Sequence, residues 1–148
     1  MNIDHPCVEC GAKLSMRGHI KRTRVGRYKV DDNSQRVPVC TNGHAELDAD
    51  QLAEYERRAA VVVLSEAGDV AGNEIRFARK SLGLTQVRLA ALMEVAQETI
   101  SRWETGSESM SRVSRLALLA VVCAAGSLDR LAKNEPARVA EVLHVHAA

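Results

Sequence analysis

Cys7 and Cys10 stand three positions apart and are followed by Gly11, the residue types and spacing of a zinc knuckle. A tight turn between two such thiolates aims both sulfurs at one metal ion. A closed tetrahedral site needs a second pair, and Cys40 with His44 supplies it. Gly43 lets that second turn tighten. Cys7, Cys10, Cys40 and His44 thus make a Cys3His shell, with His5 and His19 as alternative fourth ligands. Four protein ligands leave no open position for water, so the metal expected here is structural zinc rather than a catalytic ion. The remaining cysteine, Cys123, lies far away in an apolar stretch and is expected to be a buried thiol outside the metal site.

The segments that must carry these ligands hold little core of their own. Residues 1–45 mix glycine and basic residues with short β-like runs at Lys13–Ile20, Arg27–Val30 and Arg36–Val39, too little apolar surface to fold without a staple. Lys13, Arg17, Lys21, Arg22, Arg24, Arg27 and Lys29 form a basic stretch that suits an acidic protein surface, DNA phosphates or plain solvent. The net charge of +1 hides an uneven distribution: residues 1–40 hold eight Lys/Arg and four Asp/Glu, 41–70 two and seven, 71–148 ten and eight. A basic head, an acidic connector and a mildly basic remainder imply at least two units, 1–67 and 68–148. Aromatics are only 3% of the chain, so the core has to come from Leu, Val, Ala and Ile. Met1–Pro6 lacks a basic start leading into an apolar stretch. The longest apolar run, Leu116–Ala125, is about half the length of a spanning helix. A cytoplasmic protein with reduced thiols is expected.

Beyond the basic head the periodicity turns helical. Leu52, Tyr55, Ala59, Val62 and Val63 fall at three- and four-residue steps, predicting a helix from Asp48 or Asp50 to Glu66. Gly68–Asn73 reads as a linker, with Asn73 a candidate N-cap. Four short helices follow up to Gly126. The first carries Ile75, Ala78 and Leu82 and ends at Gly83. The second is capped by Thr85 and runs from Gln86 to Met93. The third spans Gln97 to Thr105 and stops at Gly106, and the fourth follows a Ser107–Ser111 loop. Gly126-Ser127 is expected to break that last helix, with short segments at 128–133 and 136–145 beyond, the second opened by Pro136.

The stretch from Ile75 to Gly106 resembles the Cro/C1 (XRE-type) helix-turn-helix family. The matching residues are Arg79, Leu82-Gly83-Leu84, Thr85-Gln86, Leu89-Ala90, Val95, Ile100 and Glu104-x-Gly106. Ala90 has to be small where the third helix crosses it, and Leu82, Leu89, Met93, Val95 and Ile100 fill the wedge between the helices. The resemblance implies a buried salt bridge between Arg79 and Glu104, with Trp103 packed against the motif. It also implies a third helix that enters the major groove. Gln97, Glu98 and Arg102 then face base edges, with chemistry suited to adenine, cytosine and guanine respectively. Thr85, Gln86, Thr99 and Ser101 reach phosphates, with Ser107 and Arg112 further along the backbone. Two positions depart from the family pattern: Glu94 stands where glycine is usual in the turn, and Ala96 where Ser or Thr caps the third helix.

Taken together, the two halves resemble MqsA-type antitoxins. The carrying residues are Cys7-x2-Cys10, the Val37-Pro38-Val39-Cys40 approach, the acidic helix after it, and Ser101-Arg102-Trp103-Glu104-x-Gly106. Cys40-x3-His44 stands where Cys-x2-Cys is usual. The fold class expected is an α+β zinc-binding module followed by an all-α helix-turn-helix domain of about five helices. The function implied is that of a homodimeric repressor of a palindromic operator, the antitoxin and autorepressor of a toxin–antitoxin pair. Its N-terminal module would hold the toxin. Leu116, Leu119, Val122 and Val139–Val145 could form the dimer seam or belong to the monomer core. The alternatives are a stand-alone regulator whose zinc module senses metal or an effector, and a partner-binding interaction protein. No Ser/His/Asp grouping, phosphate-cradling glycine loop or open metal site points to an enzyme, and His144-Val145-His146 reads as a solvated tail.

Overall fold

The computed structural model describes residues 5–66 and 68–134. The three short β-like runs merge into one antiparallel hairpin, β1 (Leu14–Val25) and β2 (Tyr28–Cys40), joined by the two-residue turn Gly26-Arg27. Gly26 has φ 58°, a left-handed conformation that favours glycine. Pairing runs from Leu14↔Cys40 at the base to Val25↔Tyr28 at the tip, with three register shifts between Ser15 and Thr23. Those irregularities explain why the acidic, polar stretch after Val30 did not read as a strand: bulged pairing tolerates residues that a regular ladder disfavours.

Helix α1 (Ala49–Ser65) starts at a capping box. Asp48 accepts from the Gln51 N–H at 2.8 Å, and the Gln51 side chain accepts from the Asp48 N–H at 3.1 Å. Of the five residues that predicted this helix, Tyr55, Ala59 and Val63 are buried, whereas Leu52 and Val62 point outward. The helix serves two cores, which rotates its apolar face away from those two positions. Tyr55, Ala59 and Val63 pack on Val25, Val30 and Val37 of the hairpin, while Ala60 and Leu64 enter the helical core. Arg58 also binds β2, its Nε donating to Asp32 at 3.1 Å.

Helix α2 (Gly72–Ser81) begins two residues before the sequence places it. Ala71 rather than Asn73 is the N-cap, and the Glu74 carboxylate does the capping by accepting from the Ala71 N–H at 2.8 Å. Helices α3 (Gln86–Met93) and α4 (Gln97–Thr105) have the expected bounds, and Thr85 caps α3 through the Arg88 N–H at 3.2 Å. Ile75, Ala78, Leu89, Ala90, Ile100 and Trp103 meet in one core, closed by Leu118 and Val122 of α5 (Arg112–Asn134).

Two expectations about α5 are corrected, and for Val122 the choice between seam and core is decided. The helix runs through Gly126-Ser127 without a break: one glycine costs about 1 kcal/mol in a helix interior, too little to stop a segment flanked by Ala and Leu. Cys123 is exposed, because the face that packs inward is that of Leu118 and Val122. Val122 is therefore core and unavailable as a seam, while Leu116 is exposed and Leu119 half-buried. The segment at 136–145, the Val139–Val145 part of the seam and the His144–His146 tail lie outside the described residues. No helix among the described residues is long and apolar enough to cross a membrane.

The α3–α4 turn holds the one non-glycine residue with positive φ among those described, Glu94 at φ 53° and ψ 42°. The departure from the family's glycine thus does not change the turn; it strains it. Replacing Glu94→Gly is expected to raise unfolding free energy by about 1 kcal/mol, read as a higher urea midpoint at unchanged slope.

Candidate functional site

The four residues expected to hold a metal lie at the base of the hairpin. Cys7 and Cys10 sit in a turn closed by Gly11 N–H to Cys7 C=O at 2.8 Å and Cys7 N–H to Ala12 C=O at 2.9 Å. The second turn repeats the device, with Gly43 N–H to Cys40 C=O at 2.9 Å and Cys40 N–H to His44 C=O at 3.0 Å. Gly11 (φ 70°) and Gly43 (φ 86°) supply the left-handed residue each turn needs. The donor atoms of Cys7, Cys10, Cys40 and His44 all fall within 4.8 Å of one another. Cys7 Sγ is 3.8 Å from His44 Nδ1 and Cys10 Sγ is 3.6 Å from Cys40 Sγ. A tetrahedron of thiolates about 2.3 Å from zinc has edges of roughly 3.8 Å. The four residues therefore fit a small tetrahedral ion of zinc's kind. His5 is drawn elsewhere, its Nε2 lying 3.7 Å from Glu46, and His19 sits up the hairpin on β1, so His44 is the histidine brought to the thiols.

The two thiols of the first turn differ electrostatically. The Ala12 N–H and the Asn42 amide, at 3.3 Å from the sulfur, outweigh partial burial and bring Cys10 down to about 6. Burial pushes Cys7 up from the usual thiol range. Of the two, Cys10 is thus the closer to its metal-binding thiolate form at neutral pH. Asn42 was not singled out from sequence, since an asparagine between two ligands carries no pattern of its own.

The second cluster is built around one carboxylate. Glu104, near the end of α4, has no side-chain exposure and receives four donors. Arg79 of α2 holds it with both prongs, Nε to Oε1 at 2.6 Å and Nη2 to Oε2 at 3.1 Å. Gln86 Nε2 of α3 donates to Oε2 at 2.9 Å, and Arg76 Nε lies 3.4 Å from the same oxygen. Arg79 also reaches the Leu84 carbonyl at 2.7 Å. Burial alone pushes the Glu104 carboxyl up, but the hydrogen bonds from Arg79 and Gln86 and the Arg79 charge prevail and hold it below the ordinary carboxylate range. The expected Arg79–Glu104 pair is therefore present, and Gln86 belongs to it.

With α4 pinned at its end and Ile100 turned into the core, one face of its first two turns points outward. Gln97, Glu98 and Arg102 are exposed, Thr99 and Ser101 half-buried. Ala96 is the N-cap without a side-chain hydrogen bond, as its type dictates. Arg102 is 61% exposed, with only Glu108 at 3.7 Å beside it. Thr85 is exposed with its oxygen already accepting from Arg88, and Gln86 spends its amide N–H on Glu104, which leaves only its carbonyl oxygen. Arg88, three residues after Thr85 and on the same helix face, is also exposed; the i, i+3 spacing from the cap was the signal for it.

Residues 75–131 match the profile of the helix-turn-helix family HTH_3, and this part of the chain is a helix-turn-helix domain of the kind found in DNA-binding transcriptional regulators. No curated protein and no solved structure gives a significant match to the chain.

Glu104→Gln or Arg79→Ala should lower unfolding free energy by about 3–5 kcal/mol, because the first leaves the Arg79 guanidinium without its counter-charge and the second strips the buried carboxylate of its two-pronged partner. Since the folded-state carboxyl of Glu104 titrates below its unfolded value, its contribution is complete above the unfolded range and fades as pH falls through the folded one. Acid unfolding of Glu104→Gln should accordingly be shallower than that of the parent. For the metal, Co2+ titration should saturate at one ion per chain with thiolate charge-transfer absorption. Cys7→Ser and Cys40→Ser should abolish that saturation, and His5→Ala and His19→Ala should leave it intact.

Proposed function

We propose that this chain is a sequence-specific repressor that binds a palindromic operator as a homodimer, with Zn2+ as the structural ion of its N-terminal module. The observation that carries the reading is the outward presentation of Gln97, Glu98 and Arg102 on a helix whose far end is locked by Glu104. An exposed polar turn on a rigidly held helix is what major-groove readout requires. In this reading Gln97, Glu98 and Arg102 face bases, and Thr85, Gln86, Thr99 and Ser101 contact phosphates.

The dimer is supported by α5. Val113 (77% exposed) and Leu116 (51% exposed) continue at helical spacing into the exposed residues Ala117, Ala120, Cys123 and Ala124, an apolar stripe opposite the packed face. Pairing two such stripes would set two recognition helices about 34 Å apart, one turn of DNA. The antitoxin role rests on the likeness of the two-module order to MqsA-type proteins, the metal turn at one end and the reading helix at the other. In that role the N-terminal module holds a small toxin and the protein works in the cytoplasm as the autorepressor of its own operon. A second reading, a regulator that responds to metal, is favoured by Cys10, the exposed thiol of the set.

Selection of duplexes from a random pool by the metal-loaded chain is expected to return a palindrome. Arg102→Ala should relax preference at one base pair per half-site and cost about 1–3 kcal/mol there. Leu116→Lys should yield a monomer that binds single half-sites weakly. Recovery of no sequence at all, or an unchanged preference in Arg102→Ala, defeats the assignment of α4 as the reading helix. Metal-dependent operator affinity without any protein partner would favour the second reading.

A further inference from the structure

The hairpin tip holds no metal ligand and no base-facing residue, yet it is where the hairpin itself docks on the first turn of α2. The Arg27 backbone N–H donates to Glu74 Oε1 at 3.3 Å, and its side-chain Nε donates to the same oxygen at 3.2 Å. The other oxygen, Oε2, caps α2 through Ala71. The Glu74 side chain has no solvent exposure, whereas that of Arg27 is 54% exposed. Arg27 Nη2 further donates to the Asp69 carbonyl. There is no slack in this joint: a Cβ on Gly26 would fall 2.4 Å from Glu74 Cγ.

The same first turn of α2 is wedged on its other side against α4. A Cβ on Gly72 would lie 2.4 Å from the Glu104 carbonyl oxygen and 2.7 Å from that of Trp103. Phe77, one turn further along α2, packs against both the hairpin core and the helical core. The hairpin tip, the Glu74 carboxylate, the opening turn of α2 and the last turn of α4 are therefore in unbroken contact.

We infer that Arg27 and Glu74 are positioning residues for the reading helix: the docked tip fixes the first turn of α2, which in turn holds the C-terminal end of α4. Its consequence for DNA rests on the function proposed above, but its physical claim concerns α4 alone. Without the guanidinium, the enclosed Glu74 carboxylate loses its side-chain partner and is left with the backbone N–H groups of Arg27 and Ala71. An under-paired buried carboxylate favours opening of the turn that encloses it. Arg27 is the half of the pair that solvent reaches, so it can be substituted without opening the site around Glu74.

The test uses the full metal-loaded chain as Arg27→Ala and Arg27→Lys, well below the melting temperature. Trp103, the single tryptophan of the chain, reports on the end of α4 by its emission, and amide exchange reports residues 97–106 directly. Arg27→Ala should speed exchange in the last turn of α4 by about tenfold, shift the Trp103 emission and weaken operator binding by about tenfold, a typical coupling between sites. Arg27→Lys, which keeps the charge, should recover part of each. Unchanged exchange and emission in Arg27→Ala would overturn the inference whatever DNA binding does. A loosened α4 that binds the operator undiminished would overturn its DNA consequence. Failure of the parent itself to bind any operator would sink the proposed function while the exchange data still decide the brace.

Discussion

A single carboxylate sealed inside the helical domain sets the geometry of everything around it. Taking a charge out of water costs several kcal/mol unless partners restore what solvation supplied. Glu104 meets that condition only when α2, α3 and α4 each stand where they do, since Arg76 and Arg79 come from the first, Gln86 from the second and the carboxylate from the third. A misplaced helix would leave charge or donors stranded, so the arrangement specifies one packing and disfavours near neighbours. Apolar contacts among Ile75, Leu89, Ala90 and Ile100 supply burial but tolerate sliding. The polar knot removes that freedom, and the angle of α4 is its product.

The N-terminal unit solves the opposite problem. Its base has a cluster of only Cys7, Leu14 and Cys40 with Ala12 beside it, far too small to order a long hairpin. Chelation can replace the missing apolar area, because ligation energy and folding energy are the same quantity in so small a unit. Upward from the base, α1 takes over: Tyr55, Ala59 and Val63 cover the hairpin, and the next residues of the same helix, Ala60 and Leu64, join the other core. One helix thus belongs to both halves.

Much of this was legible in the residues and some was not. Short-range signals were reliable. The paired cysteines, Thr85 as a cap and Gly106 as a stop each act within a turn, and the bounds of α3 and α4 matched them. The metal ligand set could be read because chelation imposes spacing, and the structure gathers the four residues named. Failures came where a distant contact decided. Nothing local says that Leu52 and Val62 face out, since that depends on two cores sharing α1. Nothing in Ala71-Gly72-Asn73 shows that Glu74 displaces Asn73 as the cap, because the carboxylate is held from above by the hairpin. Gly126-Ser127 was over-weighted as a breaker when the residues on either side favour helix. The unexposed Glu104 was anticipated as half of a pair, while its bond to Gln86 emerged only from the packing of three helices.

The ribbon of two strands has a further consequence. Among the described residues the sheet holds only β1 and β2, so no third strand lies along either outer edge, and only the short Val39–Ala45 bridge reaches β2 from outside. Such borders invite other chains to add on, in ordered recognition or in amorphous clumping. Here the three register shifts break the regularity of the ribbon, and exposed Lys13, Arg24, Lys29 and Arg36 give it positive charge. Like ribbons consequently repel, and an incoming strand that succeeds has to bring acidic side chains and match a kinked, non-repeating border.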